Sequence, residues 1–155
     1  MLSLSFFPNV ITLSDFHCVK KIFQFFLNRM DLRDTSIGDH EIPCFGRLPE
    51  IRHLLLGHTS DKEFVPPEDS ESRGVISDRG VHAMCPVAGD PHVSKLEDLV
   101  LARTRITEKS VERLLKGLTG LKTLDVRDSA VTGDRVESLL GLKPSCKVIF
   151  DKSDS

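Results

Sequence analysis

Apolar residues along this chain alternate with a period of two and then shift to a helical period, and that pair of periods recurs. In Leu96-Glu97-Asp98-Leu99-Val100-Leu101, Leu99 and Leu101 fall on one side of an extended segment and Val100 on the other. Ile106 follows, and Val111, Leu114, Leu115 and Leu118 then take the three- and four-residue steps of one helix face. The series begins again at Leu121-Lys122-Thr123-Leu124-Asp125-Val126, with Val131, Val136, Leu139 and Leu140 behind it. Upstream, Leu27 to Leu32 leads to Ile37, Ile42 and Phe45, and Leu48-Pro49-Glu50-Ile51 opens Leu54-Leu55-Leu56. Met1, Leu4 and Phe6, followed by Ile11 and Phe16, form a first copy.

The intervals are nearly constant. Leu4 to Met30 is 26 residues, Met30 to Leu54 is 24 and Leu99 to Leu124 is 25. One unit of strand, turn, helix and return cannot bury its own apolar face, but stacked neighbours can, so a period of this size predicts a solenoid. The short phrases between strand and helix repeat as well: Asp34-Thr35-Ser36-Ile37, Thr104-Arg105-Ile106-Thr107 and Ser129-Ala130-Val131-Thr132, with a weaker copy at Gly74-Val75-Ile76-Ser77. Thr107 is placed to cap a helix running to Lys116, with Gly117 just past its end. Thr132 and Gly141 bracket the next helix, and Ser77 and Thr12 can cap two more. Five strand–helix units and a last strand over Cys146 to Phe150 make residues 1–155 a single α/β domain.

The interval from Leu54 to Leu99 is 45 residues, 20 longer than the 25-residue period. The excess divides into two insertions, near residues 58–74 and 86–94. The first carries Pro66-Pro67 and five carboxylates (Asp61, Glu63, Glu68, Asp69, Glu71), a composition that cannot bury a core and predicts a disordered, solvated loop. The second holds Pro86, Gly89 and Pro91. At the other end, Met1 occupies the first position of a strand with nothing polar ahead of it. A solenoid needs a polar unit at each end, so the expectation is a missing N-terminal cap or upstream domain.

Composition narrows the classes. A formal net charge of −2 with no long basic run argues against nucleic acid and anionic membranes as partners. Apolar runs are short of spanning length, and Met1 to Phe16 lacks the charged start of a secretory signal. Cys18, Cys44, Cys85 and Cys146 fall in four different units, which reads as small buried hydrophobes in a reducing compartment, cytoplasmic or nuclear. His82, Cys85 and His92 come nearest to a metal set, yet a zinc site wants four ligands at paired spacings. No nucleophile with a base and an orienting group can be assembled, and no phosphate-cradling glycine loop exists. The expectation is a protein that is not an enzyme and needs no cofactor or metal.

What remains is surface. Parallel strands one repeat apart align their outward residues: Arg29, Asp31 and Arg33, then His53 and Leu55, then Asp98 and Val100, then Thr123, Asp125 and Arg127. Leu55 and Val100 would expose an apolar strip rimmed by Arg33, His53 and Arg127, the make-up of an interface core. Asp31 and Arg33, like Asp125 and Arg127, are also placed to solvate one another.

The pattern Leu-x-x-Leu-x-Leu-x-x-Thr-x-Ile-Thr followed by a short helix, carried by Leu96 to Leu118 and Leu121 to Leu140, resembles the leucine-rich repeats of F-box/leucine-rich-repeat proteins. Residues 27–56 and 1–16 fit it more loosely. The resemblance implies a leucine-rich-repeat solenoid of right-handed strand–helix repeats, with parallel strands on a concave face that binds a protein. In that family the repeats select the substrate of a ubiquitin ligase (the SCF complex) and a separate F-box docks the ligase adaptor. Here no F-box is present, so an adaptor is expected only if one lies upstream, and Thr35, Thr104 and Ser129 stand where the family often has cysteine. The alternative is a stand-alone scaffold or inhibitor that binds a signalling protein without a ligase.

Overall fold

A computed structural model describes residues 2–5, 27–59, 75–85 and 95–151. Six strands, β1 (Leu2–Ser5), β2 (Leu27–Asp31), β3 (His53–Gly57), β4 (Asp98–Ala102), β5 (Thr123–Asp125) and β6 (Lys147–Ile149), form one sheet in chain order. Every neighbouring pair is parallel. Three helices, α1 (Asp78–Met84), α2 (Glu108–Gly117) and α3 (Gly133–Leu139), connect the later strands, which makes the fold α/β. The register joins equivalent positions of the sequence pattern: Met30, Leu54, Leu99, Leu124 and Val148 lie side by side across β2 to β6.

Burial follows the alternation. Met30, Leu54, Leu56, Leu99, Leu101 and Leu124 are all sealed from solvent and join Val81, Val111, Leu114 and Leu118 in one core. α2 shows why: Thr107 accepts a hydrogen bond from Lys109 N–H at its start, and Ser110, Val111, Leu114 and Leu115 form its buried side. Gly117 is the last residue of this helix, one position inside its expected place, and the Leu118 N–H closes the end on Leu114 O.

Two connections differ from the expected α-helix. Between β2 and β3 the chain makes a 3-10 helix, Ile42–Arg47, with Pro43 in its first turn. A proline there supplies no N–H, and tight i to i+3 winding suits a six-residue segment. Gly46 makes the fit possible, because a Cβ would come within 2.1 Å of Met84 O on α1. After α3, residues Leu140–Leu142 continue as a second 3-10 turn, so Gly141 sits inside a turn instead of ending the helix. Residues 60–74 of the first insertion, the whole of the second, and Thr12 with Phe16 lie outside the described residues, while His58 and Thr59 at the start of the first insertion are ordered against Asp34.

Three strands, β2, β4 and β5, leave by the same corner, whereas β3 ends on Gly57 at φ 87°. Asp34, Arg103 and Asp128 take φ of 59°, 58° and 52°, a left-handed conformation that an L-residue adopts only when its neighbours hold it. One residue later a hydroxyl turns back on the strand: Thr35 donates to Leu32 O at 2.6 Å, Thr104 to Leu101 O at 2.8 Å and Ser129 to Val126 O at 2.5 Å. The left-handed residue's own N–H bonds onward in each case: Asp34 to Gly57 O and Arg103 to Arg127 O, both at 2.9 Å, and Asp128 to the Asp151 carboxylate.

A second ladder joins the helix starts. Asp39 accepts the Ser77 N–H and hydroxyl at 2.7 and 2.5 Å. Asp78 does the same for Thr107 at 2.8 and 2.6 Å and also takes the Ser110 hydroxyl. Glu108 takes the Thr132 hydroxyl at 2.6 Å. Each acid grips the cap of the unit after its own. Burial works to raise the Asp78 pKa, but the Ser110 and Thr107 donors outweigh it and hold this carboxyl below its usual range.

Three donors on one carboxylate make Asp78 the strongest rung. Asp78→Ala is expected to cost about 2 kcal/mol, with the Thr107 and Ser110 groups left short of a partner, whereas Asp134→Ala, at an exposed position of α3, changes stability by less than about 0.5 kcal/mol. Urea unfolding midpoints of the two variants check the difference.

Candidate functional site

The sheet face turned away from the core brings together the outward residues of four strands. Arg29, His53, Asp98 and Thr123 are register partners in one row, and Asp31, Leu55, Val100 and Asp125 form the next. Arg33 and Arg127 follow at the strand exits, and each folds back on its own row. Arg33 donates from Nε to Asp31 Oδ1 at 2.9 Å and from Nη2 to Oδ2 at 2.6 Å. Arg127 repeats the geometry on Asp125 at 3.0 and 2.7 Å. In both forks the arginine's backbone N–H adds a bond to Oδ1 at 3.2 Å.

These forks set the electrostatics. Asp31 is held below the usual carboxylate range chiefly by the Arg33 side chain. Asp125 is only 7 % exposed, on the face that alternation directs to solvent. Burial there pushes its pKa up, but Arg127 overcomes that and leaves it lowered. The guanidinium groups are therefore engaged within the chain as flat, paired forks instead of free cations.

The apolar strip is smaller than the sequence suggests. Leu55 faces outward, outside the main core, but is only 8 % exposed. Its register partners are Asp31, folded into its fork, and half-buried Val100, at the close spacing of adjacent strands. Val100, between Leu55 and Asp125, is the larger of the two apolar side chains that remain accessible on β4, the other being Ala102. In the first row, His53 Nδ1 lies 2.6 Å from Asp98 Oδ2.

Two rims of charge border these rows, and sequence reasoning did not find them. At the strand entrances Glu97 pairs with Arg52 and, at 2.7 Å, with Lys122. Lys122, then Arg52, keep the Glu97 pKa low. All three precede the central leucine of their strand by two residues, so the sequence spacing carried the signal. At the exits Asp34 binds Thr59 and lies 3.6 Å from His58, and Arg103 pairs with Asp128 at 3.0 Å.

Elsewhere, Cys85 is buried, which raises its thiol pKa to about 11, and His82 is exposed on α1. Cys44, Cys85 and Cys146 are free thiols, Cys44 half-buried instead of fully so. Cys18 and His92 lie outside the described residues. Among the described residues no group of three or more His, Cys, Asp or Glu side chains could hold a metal ion, and no helix is long and apolar enough to cross a membrane. No protein-family model matches the chain, and no curated protein matches it in sequence. What the face can do follows from its own geometry.

Carboxylates with lowered folded-state pKa values contribute stability above the unfolded carboxylate range, near pH 4, and lose that contribution as pH falls through their folded values. Asp31, Asp125, Glu97 and Asp78 all have this sign. Denaturant midpoints are expected to hold from pH 7 to about pH 5 and to drop steeply towards pH 3. A double Arg33→Gln, Arg127→Gln variant should show a shallower acid drop.

Proposed function

We propose that the chain is a protein-recognition module, not an enzyme: a leucine-rich-repeat solenoid whose exposed sheet face docks a partner protein. The observation that carries the proposal is the alignment of the rows. Arg29–His53–Asp98–Thr123 and Asp31–Leu55–Val100–Asp125 run unbroken across four parallel strands, so residues scattered over about 100 positions of sequence present one continuous surface. The surface has an apolar centre at Val100, two pre-formed Asp–Arg forks and charged rims already paired along the strand ends. A pre-ordered surface loses little side-chain entropy when a partner binds, and Arg forks beside an apolar centre suit a protein–protein contact.

The motif resemblance extends this reading to a setting: the substrate-binding repeats of a ubiquitin-ligase receptor of F-box type, acting in the cytoplasm or nucleus. In that setting the docked protein is the ligase substrate, and an F-box supplied upstream would bring the adaptor.

Val100→Lys tests the face and leaves both Asp–Arg forks in place, since Val100 is half-buried on the sheet face between Leu55 and Asp125. Proteins cross-linked to the wild type in cells should be lost from the variant, at unchanged thermal stability. Retention of the same set by the folded variant would sink the docking face. Adaptor recovered with an endogenous product detected through residues 136–155 supports the receptor setting. Face-dependent partners without adaptor point to the stand-alone scaffold or inhibitor.

A further inference from the structure

β6 closes the sheet at one side, and among the described residues no strand flanks it. The hydrogen-bond pattern shows which of its backbone groups face outward. Lys147 N–H donates to Lys122 O at 2.7 Å, and Val126 N–H donates to Ile149 O at 2.8 Å, so residues 147 and 149 point their backbone groups at β5. Successive residues of a strand point to opposite edges, which leaves the N–H and C=O of Val148 and Phe150 on the outer edge. An open row of this kind is a template for another strand.

The side chains specify which strand fits. Lys147-Val148-Ile149-Phe150-Asp151 is self-complementary when read antiparallel to itself about Ile149. Lys147 then faces Asp151 of a second copy, Val148 faces Phe150, and Ile149 faces Ile149. The same register satisfies the backbone. Val148 and the opposing Phe150 both present outward N–H and C=O groups and form a doubly hydrogen-bonded pair, repeated by the two-fold axis. Ile149 falls on the axis as a non-hydrogen-bonded pair, where facing side chains come closest. An edge lysine ordinarily deters strand pairing; here the opposing Asp151 turns it into an attractive contact. Lys147 and Asp151 are both exposed, and Asp151 spends Oδ2 on the Asp128 N–H, leaving its other oxygen to meet an ammonium.

The apolar groups at this end agree. Val148 and Phe150 are half-buried, and Leu142, in the turn leading into β6, is 46 % exposed, the one large hydrophobic so exposed among the described residues. We infer that β6 pairs antiparallel with β6 of a second copy of this chain, in a two-fold dimer registered on Ile149 and fixed by reciprocal Lys147–Asp151 contacts. A closed two-fold contact of this type ends with two chains and does not propagate into fibres. It leaves the docking rows free and joins two six-stranded sheets edge to edge.

Charge reversal tests the register. Sedimentation equilibrium of the full chain at high micromolar concentration should give twice the 17.3 kDa chain mass. Lys147→Asp alone and Asp151→Lys alone should each sediment as monomers, because each sets like charges face to face. An equimolar mixture of the two variants should dimerise again, since each opposing pair then regains one Lys and one Asp, and the double reversal in one chain should also restore the dimer. Wild type that stays monomeric overturns the inference. So do single variants that dimerise as well as the wild type, or a mixture that stays monomeric.

Discussion

The backbone of each unit is completed only by the next one, and this constraint governs the rest of the structure. A β2, β3 or β4 strand cannot pair with itself, and its outward hydrogen bonds exist because an equivalent strand follows 24, 45 or 25 residues later, respectively, in the same register. The same dependence holds beyond the strand, at its exit and at the start of the following connection. Asp34 and Arg103, held in left-handed conformations, give their N–H groups to Gly57 and Arg127 in the following unit. Asp39, Asp78 and Glu108 take the cap hydroxyls of Ser77, Thr107 and Thr132. Stability in such an arrangement lies in the junctions between units as much as inside them.

The acid ladder runs through three units. Asp78 and Glu108 directly follow the caps Ser77 and Thr107 of their own helices, and Asp39 holds the equivalent place after Gly38, ahead of the 3-10 helix. Gly38 gives its N–H to Glu41 within its own unit, at 3.0 Å. Thr132 is followed by Gly133, which offers no acid.

Much of this was legible in the sequence because it rests on periodicity. Leu54, Leu99 and Leu124 mark strands whose alternation decides the buried face, and Val111, Leu114 and Leu115 fix the inner side of α2. The rows Arg29 to Thr123 and Asp31 to Asp125 follow from the same spacing. Less legible were features that depend on where a side chain turns. Leu55 sits on the solvent face yet is almost covered, because its neighbours on both strands crowd it. Asp125 is buried on that face because Arg127 folds over to neutralise it. The 3-10 helix at Ile42–Arg47 had a local sign in Pro43, outweighed in a reading of apolar spacing. The Arg52–Glu97–Lys122 rim had a clear sign in its spacing, but its pairing depends on how long side chains turn at the strand entrances, which alternation does not encode.

The proposed function makes one sheet face the working surface. Backbone amide shifts of the labelled chain, followed while a cross-linked partner is titrated in, test that most directly. Arg29, Asp31, His53, Val100, Thr123 and Arg127 are expected to move together, while the outer side of α2, at Lys109, Arg113 and Lys116, stays still. Shifts concentrated on Lys109, Arg113 and Lys116, with the sheet rows unmoved, would contradict it.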